Sequence, residues 1–181
     1  AEKDDAFVAA TFAAGLICIG KSAAPENGYL PTTEPLAFPP SKNPWDTTRS
    51  TAGSSGGAAA ATAEGVVPMA QANDGGGSIR FPAANNGLVG LQPSRGRMIH
   101  EQPGARPLDL AVQGVVSRTV RDTAGFFAAC EASGAAAVFP AVGLVTAPGT
   151  ARLKVGVLST GFGGAEPEAE VAGILQATAK L

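Results

Sequence analysis

Gly53-Ser54-Ser55-Gly56-Gly57 and, downstream, Asn73-Asp74-Gly75-Gly76-Gly77-Ser78-Ile79-Arg80-Phe81-Pro82-Ala83 are the stretches whose reading decides the fold. Each sets a serine in a run of glycine. Glycine loses more conformational freedom on folding than any other residue, so such a run marks backbone that takes positive φ or closely approaches another group. A serine at the end of the run can sit among free main-chain N–H groups. Those groups can hold an oxyanion while the hydroxyl attacks a carbonyl carbon. Both serines also have a bland reading. Ser54 could cap the Ala-rich stretch behind it, and Ser78 could cap a short helix after a glycine turn.

The pattern continues in Gly87-Leu88-Val89-Gly90-Leu91-Gln92-Pro93-Ser94-Arg95-Gly96-Arg97 and in Gly114-Val115-Val116-Ser117-Arg118-Thr119-Val120-Arg121-Asp122. With the serine loops, these segments resemble the amidase signature family, serine hydrolases that cleave amide bonds with a Ser–Ser–Lys triad. Upstream, Pro31-Thr32-Thr33-Glu34-Pro35 and Asn43-Pro44-Trp45-Asp46 resemble the branch that includes the 6-aminohexanoate-cyclic-dimer hydrolases. The resemblance covers nearly the whole chain. It implies an α/β fold with a mixed β-sheet core flanked by helices, in α/β/α layers.

The resemblance also implies roles. Ser78 is the expected nucleophile, forming an acyl-enzyme. Ser54 is the expected bridging serine, whose family counterpart follows a cis peptide and relays protons between the lysine and the nucleophile. The N–H groups of Gly75, Gly76, Gly77 and Ser78 are the oxyanion-hole candidates, and Ser55 supports the site. Asp74 and Arg80 flank the loop and are read as an ion pair that holds it rigid. The triad lysine falls upstream of Ala1. Lys21 occupies a different, non-catalytic position.

Family members are much longer than this chain. Residues 1–181 are therefore read as a single partial domain, truncated at both ends, from a larger enzyme. The implied reaction is hydrolysis of a linear or cyclic carboxamide, with no cofactor and no metal. Its expected partner is a small-molecule amide. Without the lysine, the isolated fragment is expected to be inactive. Two alternatives stand beside this. One is an ammonia-releasing amidase like an amidotransferase A subunit, whose usual segment Met98 to Pro107 does not match. The other is a non-catalytic scaffold remnant.

Composition agrees with a folded chain. It has 181 residues, 45% hydrophobic and 15% charged, with a net charge of −2. That balance is globular rather than disordered. No basic excess exists to hold nucleic acid or an anionic membrane. No apolar run reaches the roughly 18 residues of a membrane span. Residues 6–20 come nearest but are broken by Gly15, and no basic stretch precedes them, so no signal peptide is expected. The two cysteines fit a reducing cytoplasm, the expected location. Cys18 and Cys130 each lie in an apolar run and are expected as buried free thiols. A homo-oligomer is compatible with all of this.

One motif is a decoy. Gly15-Leu16-Ile17-Cys18-Ile19-Gly20-Lys21-Ser22 satisfies the P-loop pattern. A P-loop must follow a strand and open a helix, so that N–H groups point at phosphate. Here a helix pattern precedes and Pro25 follows.

The periodicities predict helices over 5–14, 56–64, 78–85, 119–132 and 167–180, and strands over 16–19, 66–72, 88–91 and 153–158. Residues 22–53 and 92–112 read as loops, and 135–151 as a linker. In the fourth helix, Val120, Ala124, Phe127 and Ala128 are the expected core face. Trp45 is expected to pack the long loop, and His100 to lie solvated in another.

Overall fold

Asp5 starts the first helix by accepting the Phe7 N–H at 2.7 Å, giving α1 (Ala6–Ala13). The long polar loop that follows contains a short antiparallel hairpin, β1 (Lys42–Asn43) and β2 (Asp46–Ser50). Then come α2 (Gly56–Ala63), β3 (Met69–Asp74), α3 (Arg80–Asn85) and β4 (Val89–Gly90). β5 (Val112–Ser117) and α4 (Val120–Cys130) complete the core. Thr119 caps α4 by accepting the Asp122 N–H at 3.0 Å. The last helix is α5 (Ala169–Thr178). This structure, a computed structural model, describes residues 3–99, 110–161 and 163–180. His100 and the middle of the expected 92–112 loop lie outside the described residues.

The chain divides into two compact units, Ala1–Thr146 and Ala147–Leu181. In the first, β5 lies between β3 and β4, and every described strand pair is antiparallel. Neighbouring residues on a strand point to opposite faces, so Val115 and Val116 build two separate cores. Val116 packs with Ala58 and Ala59 of α2, Ala72 of β3, and Ile79 and Ala83 around α3. Val115 packs with Phe7 of α1, Phe126 and Cys130 of α4, and Met98. The result is the expected three-layer α/β/α arrangement around a small sheet. In the second unit α5 carries no buried residue.

Several sequence expectations are corrected. Leu16 to Ile19 and Leu153 to Leu158 form no strand, and most of their apolar side chains are well exposed. A strand needs a neighbour to take its N–H and C=O groups, and no described strand pairs with either segment. The strand at 66–72 instead runs from Met69 to Asp74, because residues 64–68 close α2 with a turn. β5 was not anticipated, although it is the central strand. The buried face of α4 is Thr123, Phe126 and Cys130, while Val120 is exposed. Thr123 is accepted there because its hydroxyl lies 2.7 Å from that of Ser117. Cys130 is buried as expected, but Cys18 is exposed. No helix opens at Lys21, as the P-loop objection required. Among the described residues, no helix is long and apolar enough to cross a membrane.

Candidate active site

The first serine loop is held from outside. Its Gly53–Ser54 peptide is cis. A Cβ at Gly53 would lie 2.6 Å from the Thr32 main chain, so only glycine allows this approach. Thr33, fully buried, donates its hydroxyl to the Ala52 carbonyl at 3.0 Å and accepts the Gly56 N–H at 3.1 Å. The Gly57 N–H donates to the Ala23 carbonyl at 3.2 Å. The first N–H groups of α2 are thus satisfied by the Ala23–Thr33 segment. Ser55 stands at the N-cap but makes no capping bond. Its hydroxyl instead exchanges hydrogen bonds with the N–H (3.3 Å) and C=O (3.4 Å) of Asn73. That pair ties the first loop to the end of β3, where the second loop begins.

The second loop, Gly75 to Ile79, is organised by Asp74. Its carboxylate is fully buried. It accepts the N–H groups of Gly77 at 2.7 Å, Ile79 at 3.1 Å and Arg80 at 3.3 Å. Arg80 closes on it through Nε at 3.0 Å and Nη2 at 2.9 Å, and Gln92 donates to it at 3.3 Å. Burial by itself raises the carboxyl's pKa. The Arg80 guanidinium and the loop N–H groups outweigh that and hold it below the usual carboxylate range. The same pairing pushes Arg80 up. Gly77 sits at φ +129, and a Cβ there would strike the Phe81 ring at 2.6 Å.

Two consequences follow for Ser78. Ser78 makes no capping bond at α3, whose N-cap is Ile79; the N–H groups of Ile79 and Arg80 there are accepted by Asp74 instead. The Gly77 N–H is committed to Asp74, which narrows the expected oxyanion donors to Gly75, Gly76 and Ser78 in this conformation. Among the described residues, none of those three N–H groups has a hydrogen-bond partner, and neither does the Ser54 or Ser78 hydroxyl. The two hydroxyls are not hydrogen-bonded to each other either, contrary to the contact a relay requires in its working state. Ser54 is nearly buried beneath the turn at Gly28, where a Cβ would lie 3.6 Å from its Oγ.

Thr33, Asn86 and Gln92 are not marked as site residues by any local sequence signal. Asn86, fully buried, donates to the Thr51 carbonyl at 3.0 Å and the Pro82 carbonyl at 2.8 Å. Its main-chain carbonyl accepts the Trp45 indole N–H at 2.9 Å, but Trp45 is 73% exposed, so the expected packing is replaced by this one hydrogen bond. Only the Asn-Asn-Gly run after α3 hinted at a turn, and nothing local marked its partners.

The Amidase family model matches residues 1–181. The amidase-named protein AmiC of Mycobacterium leprae is 45% identical over 157 residues, 86% of this chain and 34% of AmiC. The solved structure of 6-aminohexanoate cyclic dimer hydrolase is similar over 99% of this chain and 39% of its own, with 34% identity and a TM-score of 0.76. A bacterial aryl acylamidase of the amidase signature enzymes is similar over 74% of this chain and 28% of its own, with 34% identity and a TM-score of 0.69. The chain therefore spans about a third of the length of these relatives. Across that span its fold is that of the amidase signature enzymes, and the chain belongs to the amidase family.

Proposed function

We propose that this chain is part of an amidase that hydrolyses a carboxamide through an acyl-Ser78 intermediate. One observation carries the reading. Asp74 accepts the N–H groups at the start of α3, and among the described residues the Ser78 hydroxyl and the Gly75, Gly76 and Ser78 N–H groups are uncommitted side by side in the chain. In the proposed reaction Ser78 Oγ attacks the amide carbonyl. Its proton passes to Ser54, and the Ser54 proton passes to a neutral lysine supplied by sequence outside this chain. The carbonyl oxygen, now negative, accepts hydrogen bonds from the free N–H groups. The C–N bond breaks, the amine leaves with the returned proton, and water hydrolyses the serine ester.

The family, the TM-score to the cyclic dimer hydrolase and the free thiols of Cys18 and Cys130 support a small-amide hydrolase of a reducing, cytoplasmic compartment. The likeness over 99% of the chain supports reading residues 1–181 as one partial amidase domain. The test is amide hydrolysis by the full-length enzyme on linear and cyclic carboxamides. Ser78→Ala is expected to remove the acyl-enzyme burst entirely. Ser54→Ala is expected to slow acylation by about 10²–10⁴-fold. A burst that survives Ser78→Ala rules the reading out.

A further inference from the structure

We infer that Asn86 is a positioning residue that sets the spacing of the two serines; this rests on the Ser78–Ser54 reading above. Thr51 lies three residues before Ser54, and Pro82 lies four residues after Ser78. The Asn86 amide donates one hydrogen to the carbonyl of each, at 3.0 and 2.8 Å, and both bonds are buried. Its side chain joins the entry to the first serine loop with the exit from the second. Ser55 joins the opposite ends, through Asn73. The two loops are therefore clamped from both sides, and Asn86 is half of the clamp.

The chemistry demands an amide. Two carbonyl oxygens face the group, so it must present two donors. A carboxylate would repel both, and a hydroxyl has one hydrogen to give. The Asn86 Oδ1 is buried and has no partner among the described residues, so the two donor bonds alone fix the orientation of the amide. Tolerating an unsatisfied buried acceptor fits a residue kept for its two donors. Asn86 touches no reacting atom. It acts on catalysis through Ser54 and Ser78.

The experiment is acylation of the full-length enzyme by a fluorophosphonate, together with kcat and KM on a carboxamide. Asn86→Ala and Asn86→Asp are compared with Asn43→Ala. Asn43 is a buried amide that donates to the Asn85 carbonyl at 2.7 Å, at the end of α3, and makes no hydrogen bond to either serine loop. The Asn86 variants are expected to lose on the order of 10–100-fold in acylation rate and kcat, with KM within about twofold of wild type. Asn43→Ala is expected to lower the melting temperature while keeping the acylation rate. Asn86→Asp is expected to regain part of its rate, relative to wild type, as acid protonation restores one donor. Wild-type acylation by the Asn86 variants, or an equal slowing by Asn43→Ala, overturns the inference. Asn86→Ser replaces any variant that does not fold and is judged by the same criterion. Ser78→Ala run in parallel separates the two claims: labelling that persists there defeats the nucleophile itself, whereas silence there with unaffected Asn86 variants defeats only the clamp.

Discussion

The serine loops and the apolar run Leu16 to Ile19 reverse the usual association of polarity with the surface. Thr33, Asp74 and Asn86 are polar and 0% exposed, whereas Ile17 is 86% exposed and Ile19 69%. The Leu153 to Leu158 run in the second unit behaves like the first, with Val155 79% exposed. The difference lies in where the partners are. Thr33, Asp74 and the Asn86 amide N–H groups find hydrogen-bonding partners within this chain, across 19 residues for Thr33 and 35 for Asn86. An apolar strand segment instead needs neighbouring strands and a covering layer, and the described residues supply neither to Leu16–Ile19. Order at the site thus comes from buried hydrogen bonds between segments distant in sequence, with the Asn86 Oδ1 the exception left unpaired among the described residues.

Three changes break or sharpen that contrast. The largest effect is expected where an apolar side chain does find its layer. Phe126 meets Phe7 at 5.8 Å between ring centroids inside the second core. Phe126→Ala is expected to cost about 3–5 kcal/mol, read by chemical denaturation. A loss below 1 kcal/mol, roughly the size of a surface change, would show that core to be loosely packed.

Next is Asp74→Ala. It leaves the Gly77 and Ile79 N–H groups without their acceptor and Arg80 without its partner. The cost is expected at about 2–3 kcal/mol, toward the lower end for a broken buried pair because Arg80 remains half exposed. The same contact sets a pH dependence. The folded carboxyl has a lowered pKa, so the unfolded chain binds the proton first on acidification. Asp74's contribution is therefore complete above about pH 5, falls as pH drops past the ordinary Asp value near 3.9, and is lost through the lower folded value. The Asp74→Ala protein should show a shallower acid slope in melting temperature. An unchanged slope would mean the pair does not stabilise the loop.

The smallest effect is expected in the exposed run. Ile17→Asn should change stability by no more than about 0.5 kcal/mol. Removing this patch should also reduce self-association in sedimentation, since exposed apolar surface promotes it. A cost above 1 kcal/mol, beyond the usual surface range, would place Ile17 inside a packed layer and remove the contrast.

What was legible in the sequence follows the same division. The two serine loops, the Asp74–Arg80 pair and the helices α1, α2 and α4 each rest on local signals: glycine runs, a cap, a 3.6-residue period. The relation of Thr33 to Ala52 and Gly56, or of Asn86 to Thr51, depends on chain segments far apart in sequence and leaves no local trace. β5 escaped because Val112-Gln113-Gly114-Val115-Val116-Ser117 is buried almost throughout, so it lacks the alternation that marks a half-buried strand. The α4 face was misplaced because a hydrogen-bonded threonine occupies a core position that apolar periodicity cannot see. The strands assigned to Leu16–Ile19 and Leu153–Leu158 failed for the complementary reason: apolar content specifies a preference, and pairing requires a neighbour.

The most direct test of the nucleophile assignment is mass-spectrometric mapping after exposure to a fluorophosphonate, on the full-length enzyme and on the 181-residue chain alone. The expected result is a single adduct on Ser78 in the full-length enzyme, and none on Ser78 in the isolated chain if, as proposed, the lysine base is supplied by sequence outside it. An adduct on a different serine in the full-length enzyme would contradict the assignment, and efficient labelling of Ser78 in the isolated chain would contradict the need for an external base.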